Sequence, residues 1–449
     1  MSSYDAHYKI PREKVFDVQE ANDPEDVIKP IPLLVQGQGT FIFKHSQRFY
    51  DRVEVSSLPI QPLHVNFCTS DFSIDQKTGE KIYRELFHLI IDSYRETTLL
   101  NVQGEIVGSD HCGVVRSDYA FYWISLDLLD AENGEMYIRF GRGEARLETE
   151  VFHYRVPVAK MYDFRQLSQA LASPYVQPMR LLRDPVIGTV PLVVKNTDSL
   201  TMADVAANNA MPKAALSAVG QKLYDIVAGQ NFVLDTPDFP HFSDAIKRSI
   251  ESKNGWCYKK LQEKAKEFGP NSDEVYLRIT LGKAGGESPG IPFVMEIWPP
   301  QCFSPIHQHA GANAIIRVLS GEIGVSLFPF LAKGTALSNQ VEVAPFAKAS
   351  FAKDQITWIS PLLNQTHQLR NNAALGGLPC ITIQCYMYDE ADTGHYPFFD
   401  YVDDDGTVHQ FTPNSDLEFP EFKKIMEKEW NEPMSANLIA SLESLTIFS

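Results

Sequence analysis

The chain has 449 residues, 44% of them hydrophobic and 22% charged, which suits two or three folded domains and excludes a disordered polymer. Its 57 acidic against 40 basic residues leave a formal charge of -17, so a polyanion is repelled on average and nucleic-acid binding is not expected. The N-terminus MSSYDAHYKIPREK lacks the apolar core of a secretory signal, and no stretch approaches the roughly 18 apolar residues that span a membrane, so a cytoplasmic protein without membrane attachment is expected.

In chain order, residues 1–38 are polar and proline-punctuated and predict an irregular lead-in. From 39 to 155, short β-branched and aromatic runs alternate with turn residues: TFIFKH, LHVNF, LFHLIIDSY, TLLNVQGEIVG, AFYWISLDLL, EMYIRFGRG and EVFHYRV. That spacing predicts an antiparallel β-sandwich. Gly141-Arg142-Gly143 has no third glycine and no following helix, so it predicts a hairpin turn and not a nucleotide loop. Residues 156–200 are transitional, interrupted by Pro157, Pro174, Pro178, Pro185 and Pro191.

Apolar residues then recur at three and four in MADVAANNA, ALSAVGQKLYDIV, FSDAIKRSIESK and WCYKKLQEKAKEFG, predicting helices that stop at Gly269-Pro270. After Pro270 strands return and are expected to end near Tyr388. Asp403-Asp404-Asp405 lacks the spaced ligands of a calcium loop and predicts a solvated turn. The six cysteines, Cys68, Cys112, Cys257, Cys302, Cys380 and Cys385, form no CxxC pair, so buried reduced thiols are expected and a structural zinc site or disulfide scaffold is not.

The chemistry concentrates in SPIHQHAGANAIIRVLSGEIGVSLF, where His307 and His309 stand two apart in an extended stretch and so point to one face. About sixty residues on, WISPLLNQTHQLRN supplies His367, with Asn371 four residues later. Two histidines on one strand and a third on a distant strand resemble the layout of a cupin barrel. The first motif of that family is met at His307, His309 and Gly321, while its acidic ligand position falls on Ala314. Three neutral imidazoles leave a divalent iron its full charge and open positions, which suits a thiolate and O2; zinc also accepts three histidines but would suit hydrolysis or hydration.

Over roughly residues 240–400 the chain further resembles the cysteine dioxygenases. Trp298 lies nine residues before His307, as a tryptophan does in that family, and EVYLRITLG carries its tyrosine-any-arginine strand as Tyr276 and Arg278. The resemblance implies that Arg278 clamps the substrate carboxylate, that Tyr386 in CITIQCYMYDE is the active-site tyrosine, whose hydroxyl can donate to the substrate carboxylate or to iron-bound oxygen, and that Tyr276 and Trp298 help bind substrate. Independently, a guanidinium presents two donors to a carboxylate and is costly to bury without an anion, although Glu274 or Glu296 could supply that partner. The bland alternative for Tyr386 is a buried hydroxyl bonded only to backbone. Thiol dioxygenases for mercaptopropionate carry glutamine at the arginine position, so Arg278 favours cysteine.

Two departures stand out. The cysteine that cross-links to the tyrosine in animal enzymes is Ala314 here, and the family's serine-histidine-tyrosine relay becomes Thr382-Gln384-Tyr386, where glutamine cannot titrate. The second motif is also partial, with Pro361 and Asn364 in place of a PxG spacing. A more limited resemblance joins Phe121-Tyr122-Trp123-Ile124-Ser125 and Tyr137–Gly143 to the β-sandwich module of the farnesoic acid methyltransferase type, which implies a binding or interaction domain with a protein or carbohydrate ligand.

The expected fold is therefore mainly β with a helical segment: lead-in 1–38, antiparallel sandwich 39–185, linker and helical cover 186–270, cupin barrel 271–449. The expected activity is iron-dependent, Fe(2+), oxidation of cysteine by O2 to its sulfinate, with His307, His309 and His367 as metal ligands and a place in cysteine catabolism and taurine formation. The alternatives are another thiol, 3-mercaptopropionate or cysteamine, and a non-catalytic cupin that senses a metal or small acid. Cys302, five residues before His307, is expected as a buried barrel thiol.

Overall fold

The computed structural model describes residues 13–16, 30–45, 63–91, 97–101, 103–110, 121–131, 134–172, 176–186, 188–266, 273–282, 292–328, 345–388, 398–403, 408–412 and 414–432. Cys112, Gly269-Pro270, Asp404-Asp405 and most of residues 1–29 lie outside the described residues. The chain divides into two compact units, one made chiefly of Met1–Val190, the other of Pro191–Leu327, Ala347–Asp403 and His409–Ser449.

The first unit contains two six-stranded sheets. One runs Glu13–Val15, Val176–Leu182, Gln38–His45, Phe121–Ala131, Glu135–Arg142, Glu150–Arg155; the other runs Ile31–Pro32, Leu167–Ala172, Leu63–Ile74, Lys81–Ile91, Thr97–Asn101, Ile106–Asp110. Period-two alternation sends Phe41, Phe43, Ile124 and Phe140 from one sheet and Val65, Phe67, Phe87 and Leu89 from the other into a common core. Phe67 stacks on Phe87 at 4.5 Å between centroids. This is the expected antiparallel sandwich.

Its perimeter differs from expectation. Glu13–Val15 and Ile31–Pro32 are strands within the stretch expected to be irregular, and Leu167–Ala172 and Val176–Leu182 are strands within the transitional one. Two- and three-residue strands show no periodicity of their own; the neighbours at Arg180–Leu182 and Gln169–Ala170 impose them by pairing. Pro178 is accommodated where the register shifts against Gln38–His45, a bulge being where a missing N–H is tolerated.

The Gly141-Arg142-Gly143 segment ends a strand and turns, with φ of 94° at Gly143. Gly141 is required for a different reason: a Cβ there would lie 2.0 Å from the Trp123 indole, whose N–H donates to Thr149 Oγ1 at 3.1 Å.

The second unit carries an eight-stranded sheet in the order Ala210–Pro212, Val193–Lys195, Ile356–Ile359, Asn313–Ser320, Cys380–Met387, Phe293–Trp298, Leu277–Gly282, Leu417–Glu418. A six-stranded sheet runs Ala347–Ala352, Glu322–Leu327, Thr366–Arg370, Ile306–Gln308, Phe399–Val402, Val408–Phe411. These two sheets are the β-barrel expected of this half of the chain. Helices Ala218–Val227, Phe242–Glu251 and Trp256–Lys264 form as the periodicity predicts, but Val193–Lys195 and Ala210–Pro212, within the stretch 186–270 expected to be linker and helical cover, come before them as strands of the eight-stranded sheet. The first buries Val219, Leu223, Tyr224 and Val227, and Ser217 caps it by accepting from Gly220 N–H at 3.0 Å.

The strands do not end at Tyr388. Phe399–Val402, Val408–Phe411 and Leu417–Glu418 follow, and helix Phe419–Asn431 sets Phe419 and Phe422 each 5.9 Å from Phe242. Acids and glycine between these short strands break the alternation that would reveal them. No helix among the described residues is long and apolar enough to cross a membrane.

Gly141→Ala should cost the sandwich roughly 2–3 kcal/mol, as overpacking against a fixed indole does. Urea unfolding followed by Trp fluorescence measures it; an unchanged midpoint would show that Trp123 can move aside.

Candidate metal centre

Extended backbone at Ile306–Gln308 turns His307 inward and places it directly opposite His367 on the Thr366–Arg370 strand. After His309, Ala310 (φ 55°) and Gly311 (φ 77°) adopt left-handed conformations and swing the chain into Asn313–Ser320. Gln365 fastens this turn to the His367 strand: its Oε1 accepts from Gly311 N–H at 3.1 Å and its amide donates to Ala312 O at 2.9 Å. The three imidazoles come together with centroids 4.7 to 4.8 Å apart, and all are buried. Among the described residues they form the group able to hold a metal, one ligand atom from each lying within 4.8 Å of the others.

Their protonation follows from their partners. His307 Nδ1–H donates to Pro305 O at 2.9 Å and His367 Nδ1–H to Asn364 O at 3.2 Å. A carbonyl only accepts, so both rings carry their proton on Nδ1 and keep a lone pair on Nε2. Burial pushes His307 down to about 4 and His367 to about 3, and lowers His309 well below its ordinary value, with the neighbouring imidazoles adding to the effect at His309 and His367. The cluster is neutral near pH 7.

The spacing also fits a metal. Nε2 of His309 and Nε2 of His367 are 3.0 Å apart. Two nitrogens about 2.1 Å from one ion are about 3.0 Å apart at a right angle and about 3.4 Å apart at the tetrahedral angle. The observed separation matches neighbouring ligands on an ion that keeps further positions open.

Around the cluster, Tyr386 stacks on His309 at 5.1 Å and Phe399 meets it edge-on at 4.5 Å. Ala314, Ile316 and Ile359 complete an apolar lining. Ala314 is directly opposite Tyr386 on the adjacent strand, the position from which a cysteine would reach the phenol.

Arg278 and Glu296 oppose each other on neighbouring strands, with Arg278 Nε 3.2 Å from Glu296 Oε1. Glu296 therefore meets the charge of Arg278, the protein-acid partner weighed for this arginine. The other carboxylate oxygen accepts from the Gln384 amide, and Tyr386 donates its hydroxyl proton to Gln384 Oε1. Burial pushes Glu296 up to about 7 against the opposing pull of Arg278 and Lys264.

The alternate residues Thr382, Gln384 and Tyr386 thus share a face, although Thr382 is occupied by the Trp298 indole N–H at 3.2 Å. Trp298 is fully buried beneath Tyr276, 4.1 Å away and nearly parallel. Arg278 and Tyr276 face a cavity of about 250 Å3 that Pro305, Tyr401, Lys264 and Asp416 also line. Among the described residues the Nη groups of Arg278 make no hydrogen bond.

Cys302 is buried and lines a separate cavity with Pro299, Pro300 and Pro379. The five described cysteines are unpaired and buried. The sequence marks Glu296 only as a possible partner for Arg278 and gives no sign of Phe399. The diagonal meeting of Glu296 with Gln384 depends on the register of the two strands and leaves no local signature.

No family model and no curated protein matches the chain. Among solved structures it is similar to the Cupin_2 domain of an XRE family transcriptional regulator from Enterobacter cloacae, with 16% identity over 26% of this chain and 97% of that chain and a TM-score of 0.18. It is similar to a sugar phosphate isomerase of a cupin superfamily from Silicibacter pomeroyi, with 14% identity over 31% and 78% and a TM-score of 0.19. An oxalate oxidase in complex with glycolate matches at 15% identity over 24% and 45%, with a TM-score of 0.17.

The buried imidazoles make the metal-free protein acid-sensitive. In the unfolded chain they take up protons near 6.5, whereas His307 resists until about 4. A depressed folded-state value gives stability that is present above 6.5 and lost as pH falls toward 4. Urea midpoints of the metal-free protein should therefore fall from pH 7 to pH 4.5, and less steeply in His307→Gln. Equal slopes in the two proteins would show that other groups govern the acid limb.

Proposed function

We propose that this chain is an iron-dependent thiol dioxygenase that oxidises a small thiol, cysteine foremost, with O2 to its sulfinate. The observation that carries the reading is the set of three buried neutral imidazoles with no carboxylate among them and a 3.0 Å spacing between two Nε2 atoms. His307, His309 and His367 would hold the ion. Iron held there supplies the electron transfer that a thiol and O2 cannot manage by themselves.

The residues around the ion have their own tasks. Neutral ligands leave the ion's charge uncompensated, which favours an anionic thiolate beside them. Arg278 lines the cavity, and a substrate carboxylate there would fit its guanidinium. Tyr276 forms part of the same wall, and Trp298 holds it by stacking. Phe399, Ile359 and Ala314 keep water from the side of His309 and Tyr386, so that a reactive sulfur species meets no competing reductant. Tyr386 sits over His309, within reach of whatever lies beside that ring.

One observation favours a second reading. Glu296 already meets the charge of Arg278, so a thiol without a carboxylate, cysteamine, is compatible with the site.

Oxygen consumption by the iron-loaded protein with cysteine, 3-mercaptopropionate and cysteamine in parallel tests both. Uptake with cysteine that yields the sulfinate, reduced at least about a hundredfold in His307→Ala, is the expected result. Uptake with cysteamine alone moves the substrate, and no uptake with any thiol would leave a metal- or acid-binding cupin.

A further inference from the structure

The hydrogen bonds beneath Tyr386 run in one direction, and that direction bears on which chemical group the site recognises. Arg278 can only donate, and it stands 3.2 Å from Glu296. A carboxylate held by that guanidinium can only accept, so the face of the Gln384 amide turned toward Glu296 is its NH2. The other face is a carbonyl, which also only accepts. Tyr386 must therefore spend its single hydroxyl proton on Gln384, and only oxygen lone pairs remain for a molecule beside His309. Arg278, Glu296, Gln384 and Tyr386 are 5%, 3%, 1% and 1% exposed, so bulk water has little access to reverse the order.

We propose that Tyr386 acts as an acceptor for the amino group of an amine-bearing thiol, and that Glu296 and Gln384 are the positioning residues that make it one. This rests on the thiol-oxidising reading and narrows it to aminothiols, cysteine and cysteamine. A substrate carboxylate set against Tyr386 would oppose two acceptors with no proton between them, which is unfavourable in a buried site. The donor role that the resemblance implies for this tyrosine, toward a substrate carboxylate or iron-bound oxygen, is thereby reversed. The reversal comes from Glu296, whose charge orients the glutamine; a residue at 384 without an acceptor would release the tyrosine proton to turn outward.

Cysteine and 3-mercaptopropionate differ only by the α-amino group and make a matched pair. Calorimetric binding of each to the zinc-loaded protein, which cannot turn over, is measured at pH 8, where Glu296 is ionised. The proposal expects cysteine to bind at least about tenfold tighter, the worth of one well-made buried hydrogen bond. In Gln384→Met and in Tyr386→Phe that ratio should fall about tenfold. Recognition of the amine by the metal alone would keep the ratio in both variants and would overturn the proposal.

Two variants guard against a local packing effect, since only Gln384→Met retains the phenol. Substituting Glu296 itself is avoided because it would strand Arg278. The two readings fail separately: oxidation of thiols with an unchanged ratio sinks only the amine selection, and a ratio that collapses in the variants without any oxygen uptake sinks only the dioxygenase.

Discussion

The centre depends on one register. His307 faces His367 across adjacent antiparallel strands, and a slip of one residue would turn both rings to the opposite side of the sheet. Gln365 braces this register from the side, and Asn364 (φ 63°) offers its carbonyl to His367 Nδ1 at the point where the chain enters the strand. Because the register carries the rings into the barrel interior, it also fixes their charge: removed from water, they remain neutral over the physiological range. Fold and protonation state are thus one property here, and a neutral three-nitrogen donor set follows from both.

Residues whose meaning is local could be read directly. The HxH spacing brings His307 and His309 to one face by the geometry of extended chain, and the same period sets Thr382, Gln384 and Tyr386 together. The runs of the sandwich and the 3.6-residue pattern of Ala218–Val227 are equally local. Features that depend on long-range pairing left no such trace. Glu296 is an unremarked acid in FVMEIW until the strand at Leu277–Gly282 places Arg278 opposite it and the strand at Cys380–Met387 brings Gln384 beside it. The short strands at Glu13–Val15 and Phe399–Val402 were hidden for a related reason, because two to four residues cannot display a period and their hydrogen bonds come from neighbours far along the chain.

Buried ion pairs contribute little to stability, since desolvation of two charges offsets most of their attraction. Yet this barrel contains Arg278–Glu296 and, at 2.8 Å, Lys264–Asp416, with Asp416 also accepting from the backbone N–H of Arg278. A well-packed apolar pair would serve the fold as well, so a role in order and specificity is the better account of their presence. With Glu296 ionised each pair cancels its own charge, and the histidines carry none. Under the proposed function the largest uncompensated charge at the centre is then that of the ion itself. On that reading the ion selects the anionic sulfur, Arg278 a carboxylate where the thiol has one, and the direction in which one phenol proton points selects the amine.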